Sequence, residues 1–177
     1  MKSFQIRTIF GAALLGAVVF LSAQSSWQAV NSAQGRFKAL MPGKATFSTR
    51  KVNTKAGQVD LNAYTATFGQ SAFLITYSDY SAALIKKSDA KSVLKGAMNG
   101  AVGDGQLKSQ EWTKLQGYDA VVFSALKDKT GNTYKWRYVE AAILAKNRLY
   151  QIMIIQPFSD NTKIDVKKFF DSFKITG

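Results

Sequence analysis

The segment from Ala90 to Val102 is the longest stretch in which apolar residues recur with the period of an α-helix. Its apolar members are Ala90, Val93, Leu94, Ala97, Met98, Ala101 and Val102. Intervals of three and four residues put them on one side of a helix, which predicts an amphipathic helix lying across a sheet. Ser88 is the predicted N-cap. Gly96 and Gly100 each weaken a helix by roughly 1 kcal/mol relative to Ala, which suggests a close helix–sheet contact that requires them.

Most of the remaining chain after Trp27 has the pattern of short strands separated by turns. Strands are predicted at 36–40, 46–52, 58–68 and 72–77 before the helix, and at 107–115, 118–126, 133–144 and 149–156 after it. Tight turns are predicted at Pro42-Gly43, at 128–132 and at 146–148, and they imply that consecutive strands pair antiparallel.

A closing helix is predicted after Pro157. Thr162 and Asp165 resemble a capping pair. The residues expected to form its buried stripe are Val166, Phe169, Phe170 and Phe173. The predicted fold class is therefore α+β, an antiparallel β-sheet covered by a long central helix and a C-terminal helix.

The first 25 residues have the layout of a secretory signal peptide. Lys2 and Arg7 precede an apolar run at 9–21, and cleavage sites follow after Ala23 and Ser25. The run is shorter than the roughly 20 residues that a membrane span needs. We therefore expect export to a periplasm, a thylakoid lumen or the extracellular space, with an uncleaved anchor as the alternative.

The chain has no cysteine and no histidine. Disulfides and a cysteine-linked lipid are therefore excluded, and stability must come from the core. Zinc, copper and haem sites draw mainly on these two residue types, as do Ser-His-Asp and Cys-His nucleophile systems. The 11 acidic residues are scattered and form no calcium loop. We predict no metal, no cofactor and no enzymatic activity for a single domain at 26–177.

The sequence is strongly basic, with a formal net charge of +13 that becomes +11 once Lys2 and Arg7 are removed with the signal peptide. Such a charge favours an anionic lipid or an acidic envelope protein as partner, and nucleic acid is not expected. The candidate residues for binding an anionic partner are Lys87, Lys91 and Lys95 on the central helix, and Lys163, Lys167 and Lys174 on the last helix. The alternative is that both sets are solvated helix faces.

One predicted strand places an acid in line with aromatic residues. Tyr134, Trp136, Tyr138 and Glu140 share a face, opposite Lys135 and Arg137. This face is a candidate ligand platform, and its carboxyl is a candidate for a raised pKa. The alternatives are core packing for the aromatic rings and a structural salt bridge for the acid.

Three short strings match the active-site set of serine β-lactamases and penicillin-binding proteins. They are Ser88-x-x-Lys91, Lys129-Thr130-Gly131 and Ser159-Asp160-Asn161. Their order along the chain is wrong for that fold, and the chain is too short for it. Asp128-Lys129-Thr130-Gly131 also matches the phosphorylated aspartate of cation pumps, but Asp-x-x-Gly is an ordinary turn. We interpret all of them as chance matches.

Weak motifs over 35–175 resemble the PsbP-like family, the extrinsic photosystem II subunit and its bacterial relatives. The matching segments are Gly35 to Pro42, Phe73 to Asp79, Leu115 to Tyr118, Arg148 to Ile152, and Phe169 to Phe173. The resemblance implies an antiparallel sheet covered by helices and a non-catalytic binding or assembly role. The chain departs from the family's lipid-anchored cyanobacterial members, which carry a lipobox cysteine. It also lacks histidines that could serve as inherited zinc or manganese ligands.

The resulting hypothesis is an exported, non-catalytic binding or accessory domain that docks on an anionic or membrane-associated partner. The first alternative is a carrier of a small apolar ligand held between the sheet and the long helix, a hypothesis motivated by Gly96 and Gly100. The second is a histidine-free hydrolase, which would need a Ser or Asp beside a desolvated Lys in a cleft.

Overall fold

The computed structural model describes residues 26–54, 57–130 and 133–177. The predicted signal peptide lies outside these residues. Within them, no helix has the length and apolar character needed to cross a membrane.

Seven strands form the main sheet, in the spatial order β3-β4-β5-β9-β8-β7-β6. Their bounds are β3 Thr46–Thr54, β4 Gly57–Phe68, β5 Ser71–Asp79, β6 Gln106–Leu115, β7 Tyr118–Thr130, β8 Thr133–Ala145 and β9 Arg148–Pro157. Every neighbouring pair is antiparallel. The predicted antiparallel sheet is confirmed, and β5 and β9 join the strands before the helix to those after it.

A second, smaller sheet has the order β1-β2-β10 and packs with a short helix on one face of the main sheet. Its strands are β1 Trp27–Ser32, β2 Phe37–Pro42 and β10 Lys174–Ile175, and the helix is α3 Val166–Ser172. Phe37 of β2 and Phe169 of α3 are both fully buried, in one cluster with Phe73 and Ile75 of β5. These contacts define what we call the aromatic face of the main sheet.

The opposite face, which we call the α2 face, is covered by helix α2 Ala90–Val102. The short helix α1 Ala82–Lys87 precedes it and has no buried residue. Leu94 and Met98 of α2 are buried against Val121 and Phe123 of β7. A helix therefore lies at the position of the predicted apolar stripe, of which Leu94, Met98 and Val102 are buried.

The boundaries of the helices differ from those predicted. Ser88 is the C-cap of α1 rather than the N-cap of α2. The N-cap of α2 is Asp89, whose carboxylate accepts a hydrogen bond of 2.8 Å from the Ser92 backbone N–H. The predicted capping pair of the last helix was also wrong, because Asp165 is the N-cap of α3 and Thr162 precedes it. Val166 is exposed, so it does not belong to the buried stripe.

The expectation for Gly96 and Gly100 was wrong. Both are exposed, and a Cβ atom added at either position would have no heavy atom within 4 Å outside the helix's own backbone. They lie on the solvent side of α2, whereas Leu94, Met98 and Val102 fill the contact with the sheet. The argument for an apolar ligand held between sheet and helix therefore loses its basis.

Candidate functional site

The lysines predicted to line the central helix lie on two helices. Lys87 is the last residue of α1, and Lys91 and Lys95 belong to α2. The break at Ser88 and Asp89 means that they do not follow one helical repeat, which corrects the predicted stripe. All three are exposed on the α2 face, and the Lys91 ammonium lies 5.3 Å from the centre of the Trp112 ring.

The second lysine set does not share a helix either. Only Lys167 belongs to α3; Lys163 precedes the helix, and Lys174 begins β10. The stripe was predicted from a helix longer than the seven residues of α3. Lys167 forms an ion pair with Asp171, four residues further on. Since α3 and the small sheet pack on the aromatic face, the two lysine sets lie on opposite sides of the main sheet.

The predicted aromatic platform is divided by burial. Tyr138 and Glu140 are inside the core of the α2 face, with exposed fractions of 5% and 0%. Trp136 lies nearer the start of β8, is half-buried, and donates a hydrogen bond of 2.8 Å from its indole nitrogen to Asp128. Tyr134 is also half-buried. The four residues share a face as predicted, but only the two outer ones reach solvent.

Glu140 is the centre of a buried polar cluster. Its Oε1 accepts a hydrogen bond of 2.8 Å from the Gln151 side chain, and its Oε2 is hydrogen-bonded to the Tyr138 hydroxyl. That hydroxyl also lies 3.1 Å from the sulfur of Met153. The Tyr138 hydroxyl is the donor in both contacts, so its single proton is shared between the Glu140 carboxyl and the Met153 sulfur.

Burial has the largest influence on the pKa values of this cluster. Burial raises the pKa of Glu140 to about 7, although hydrogen bonds from Tyr138 and Gln151 and the charge of Lys127 act to lower it. Burial, followed by the nearby charge of Glu140, raises the pKa of Tyr138. Lys127 donates to the backbone oxygen of Ala101 at 2.7 Å, near the end of α2. The Glu140 carboxyl can therefore hold a proton near neutral pH, and helix α2 covers this face of the sheet.

A second charged group, formed by Arg148 and Asp79, was not predicted from the sequence. The Arg148 guanidinium donates two hydrogen bonds of 2.7 Å to the two oxygens of Asp79 and a third, of 2.8 Å, to the Gln34 carbonyl. It lies over the Tyr77 ring at 4.8 Å. The hydrogen bonds from Arg148 keep the pKa of Asp79 below its usual value. The β8–β9 turn places Arg148 at the start of β9, but its position beside Asp79 depends on the pairing of β9 with the distant strand β5, for which the sequence has no local signal.

The residues of the enzyme-like strings have structural roles on separate elements. Ser88 is the C-cap of α1, and its backbone N–H donates to the Leu84 carbonyl at 3.0 Å. Lys129 and Thr130 lie in β7 rather than in a turn, and Gly131 lies outside the described residues. Asp160 is buried and accepts hydrogen bonds from the Ser71 hydroxyl at 2.7 Å and from the Thr162 backbone at 2.9 Å. These contacts agree with the interpretation of the strings as chance matches.

Comparisons with known proteins bear on the fold. No family model matches the sequence, and no curated protein matches it significantly. Among solved structures, the chain is similar to the solution structure of cyanobacterial PsbP (CyanoP) from Synechocystis sp. PCC 6803. The two share 14% sequence identity with a TM-score of 0.59, over 91% of this chain and 98% of that one. At this identity the similarity shows the fold alone. The α+β architecture of this chain is PsbP-like.

Proposed function

We propose that this protein is an exported, non-catalytic binding or accessory domain that docks electrostatically on an anionic or membrane-associated partner. The observation that carries the proposal is the pairing of the acidic residues. All but two of the 11 have a cationic, helix-cap or hydrogen-bond partner within the described residues, so few free carboxylates lie beside the remaining basic residues. The excess of positive charge, +11 without the signal peptide, therefore lies on basic residues that have no carboxylate partner.

The acidic residues fall into four structural groups. Asp60, Asp79, Asp119 and Asp171 form ion pairs with Lys51, Arg148, Lys114 and Lys167. Asp89 and Asp165 cap helices, and Glu140 and Asp160 are buried. Asp128 accepts the indole hydrogen bond of Trp136. Asp104 and Glu111 are the acids outside these groups, so most of the described lysines lack a carboxylate partner.

Of the two lysine sets, the one on the α2 face is the better candidate for docking. Within the described residues, Lys87, Lys91 and Lys95 form no ion pair, and the acid nearest to them in sequence, Asp89, is occupied as a helix cap. In the other set, Lys167 is already paired with Asp171. We therefore assign the partner-binding surface to the exposed lysines of α1 and α2.

A non-catalytic role is part of the proposal. The described acids that are buried, Glu140 and Asp160, have hydrogen-bond partners in the core, and Asp79 is held by Arg148. These arrangements support structural rather than catalytic use. The resemblance of the sequence to the PsbP-like family, whose fold this chain has, also favours an accessory function. The described structure gives no comparable support to the apolar carrier or to the histidine-free hydrolase.

The test compares two triple variants with equal loss of charge. Lys87→Gln/Lys91→Gln/Lys95→Gln removes the α2-face set, and Lys163→Gln/Lys167→Gln/Lys174→Gln removes the other. Binding is measured by sedimentation with phosphatidylglycerol vesicles and by retention on immobilised polyglutamate, each over a series of salt concentrations. Each lysine at an anionic surface contributes about 1 kcal/mol, so the α2-face variant should bind about a hundredfold more weakly.

The second triple variant is the control for net charge. It should retain most of the affinity, and wild-type binding should weaken steeply as salt increases. Equal losses of affinity in the two variants would show that binding depends on the net charge and not on the assigned surface. Failure of the wild type to bind either probe at low salt would refute electrostatic docking.

A further inference from the structure

A pocket lies where β5 ends and the β8–β9 turn reverses the chain. Its volume is about 150 Å³. A water molecule takes about 30 Å³ in the liquid, so the pocket has room for a group of a few heavy atoms but not for a large ligand. The lining residues that matter here are Arg36, Asp79, Tyr118, Lys146, Arg148 and Tyr150.

One cation of the pocket is already satisfied. Arg148 is bound to both oxygens of Asp79 and to the Gln34 carbonyl, and its side chain is 10% exposed. Its charge and that of Asp79 cancel. The Tyr150 hydroxyl is likewise engaged, donating to the Gly35 carbonyl at 2.8 Å. Together these groups form a rigid, electrically neutral part of the pocket wall.

The other two cations of the pocket are unpaired. Arg36 and Lys146 are exposed, and neither forms an ion pair with any residue that the structure describes. Both also have a positive φ, 51° for Arg36 and 58° for Lys146, a conformation that costs energy for a residue with a Cβ atom. Lys146 opens a two-residue hairpin turn, where glycine or asparagine is the usual choice for such a φ. A basic side chain is thus present at two positions whose backbone favours glycine.

We propose that this pocket binds the phosphate group of a small phosphorylated compound, with Arg36 and Lys146 as the residues that neutralise it. A phosphate monoester carries between one and two negative charges near neutral pH, which matches two unpaired cations. A single carboxylate would match only one of them. The half-buried Tyr118 ring provides a wall against which the rest of the ligand can lie.

The direct test is an NMR titration of the purified protein with inorganic phosphate, at an ionic strength held constant with sodium chloride. We expect saturable shifts at the backbone amides of residues 35–37 and 145–148. Lys146→Gly should weaken phosphate binding about tenfold, because it removes one charged hydrogen-bond donor. Glycine suits the backbone at this position, so the variant should melt no lower than the wild type.

Lys44→Gly is the matched control, because it deletes the same side chain at an exposed position that does not line the pocket. It should leave the affinity unchanged, and Arg36→Gly should behave like Lys146→Gly. Shifts that do not saturate, or equal weakening by Lys44→Gly and Lys146→Gly, would overturn the proposal.

Two further probes identify the source of the phosphate group. Glycerol 3-phosphate should compete with inorganic phosphate if the ligand is a free compound, and Lys146→Gly should then leave binding to phosphatidylglycerol vesicles unchanged. If Lys146→Gly instead weakens binding to the vesicles, the pocket recognises a lipid phosphate, and the assignment to a small phosphorylated compound is overturned. Because the docking surface rests on the lysines of α1 and α2, the two proposals can fail separately.

Discussion

The two faces of the main sheet are covered in different ways. On the aromatic face, aromatic rings from the small sheet and α3 pack against rings of the main sheet. The centre of the Phe37 ring lies 5.5 Å from that of Tyr64, 6.4 Å from that of Tyr150 and 5.4 Å from that of Phe173. On the α2 face, helix α2 lies over a mixture of aliphatic residues and the rings of Phe123 and Tyr138, and over a buried carboxyl, Glu140. The aromatic face is therefore stabilised by close packing of its side chains, whereas the α2 face also bears the free-energy cost of burying an ionisable group.

The difference follows from the number of elements that bring side chains to each face of the sheet. Strand β2 and helix α3 bring side chains to the sheet from two elements, so large rings can be packed edge to face. A helix contacts a sheet along one stripe only, and α2 extends its stripe over β7 and β8. At the edge of that contact, the polar side chains of Glu140 and Gln151 hydrogen-bond to each other. Glu140 on the α2 face and Asp79 on the aromatic face should therefore give opposite pH dependences, because the pKa of Glu140 is raised and that of Asp79 is lowered.

The largest expected effect tests the packing of the two faces with the same substitution. Phe37→Ala should lower the free energy of unfolding by about 4–5 kcal/mol, because it removes a fully buried ring with several aromatic partners. Phe123→Ala, on the α2 face, removes an equally buried ring that stacks only on Tyr138 among the ring contacts of the described residues. It should cost nearer 3 kcal/mol.

Urea denaturation followed by circular dichroism measures both values. The slope of the free energy with urea checks that both variants still unfold in one cooperative step. If Phe123→Ala lowers the free energy of unfolding as much as Phe37→Ala does, the layers that cover the two faces do not differ in packing.

The second effect is the pH dependence that Glu140 confers. Its pKa in the folded state is about 7, above the ordinary value of 4.5, so between these values the folded protein binds more protons than the unfolded chain. Stability should therefore fall as the pH rises through this window, by at most about 3 kcal/mol, and become level above it. Asp79 acts in the opposite sense, since its lowered pKa adds stability that is lost as the pH falls below its ordinary range.

The Glu140→Gln variant separates the effect of ionisation on stability from the effect of a change in side-chain shape. Glutamine fits the same space and can still hydrogen-bond to Tyr138 and Gln151, but it cannot ionise. The variant should gain stability relative to the wild type between pH 5 and pH 8, and its own stability should be nearly constant there. A wild-type profile that stays level from pH 5 to pH 8 would contradict the raised pKa.

The contrast between the faces was only partly predictable from the sequence. Local patterns of apolar residues located β2 to β9, and the helical stripe located α2. Strands β1 and β10 were not predicted, and β10 pairs with β2 across most of the chain. The helix caps were predicted at the wrong residues. The helix break at Ser88 and Asp89 was misread because lysines at intervals of four continue across it.

The partners of Glu140 could have been found from turn length. A two-residue turn at Lys146 and Asn147 pairs Ala145 with Arg148, and counting back along the hairpin pairs Glu140 with Met153. Gln151 then lies diagonally across on the same face, within reach of the carboxyl. Burial itself could not be read in this way, because it depends on where α2 comes to lie.

The smallest expected effect concerns the outer side of α2. Gly96→Ala and Gly100→Ala should each raise the free energy of unfolding by about 1 kcal/mol, since both sites face open space inside a helix. Gly105→Ala is the matched control with the opposite sign, because its Cβ would lie 2.4 Å from the Leu126 carbonyl oxygen. Thermal melting of the three variants measures these effects. If Gly96→Ala and Gly100→Ala instead lower the free energy of unfolding, then α2 has a neighbour on its outer side. The α2 face would then be covered by more than one layer, and this difference from the aromatic face would be lost.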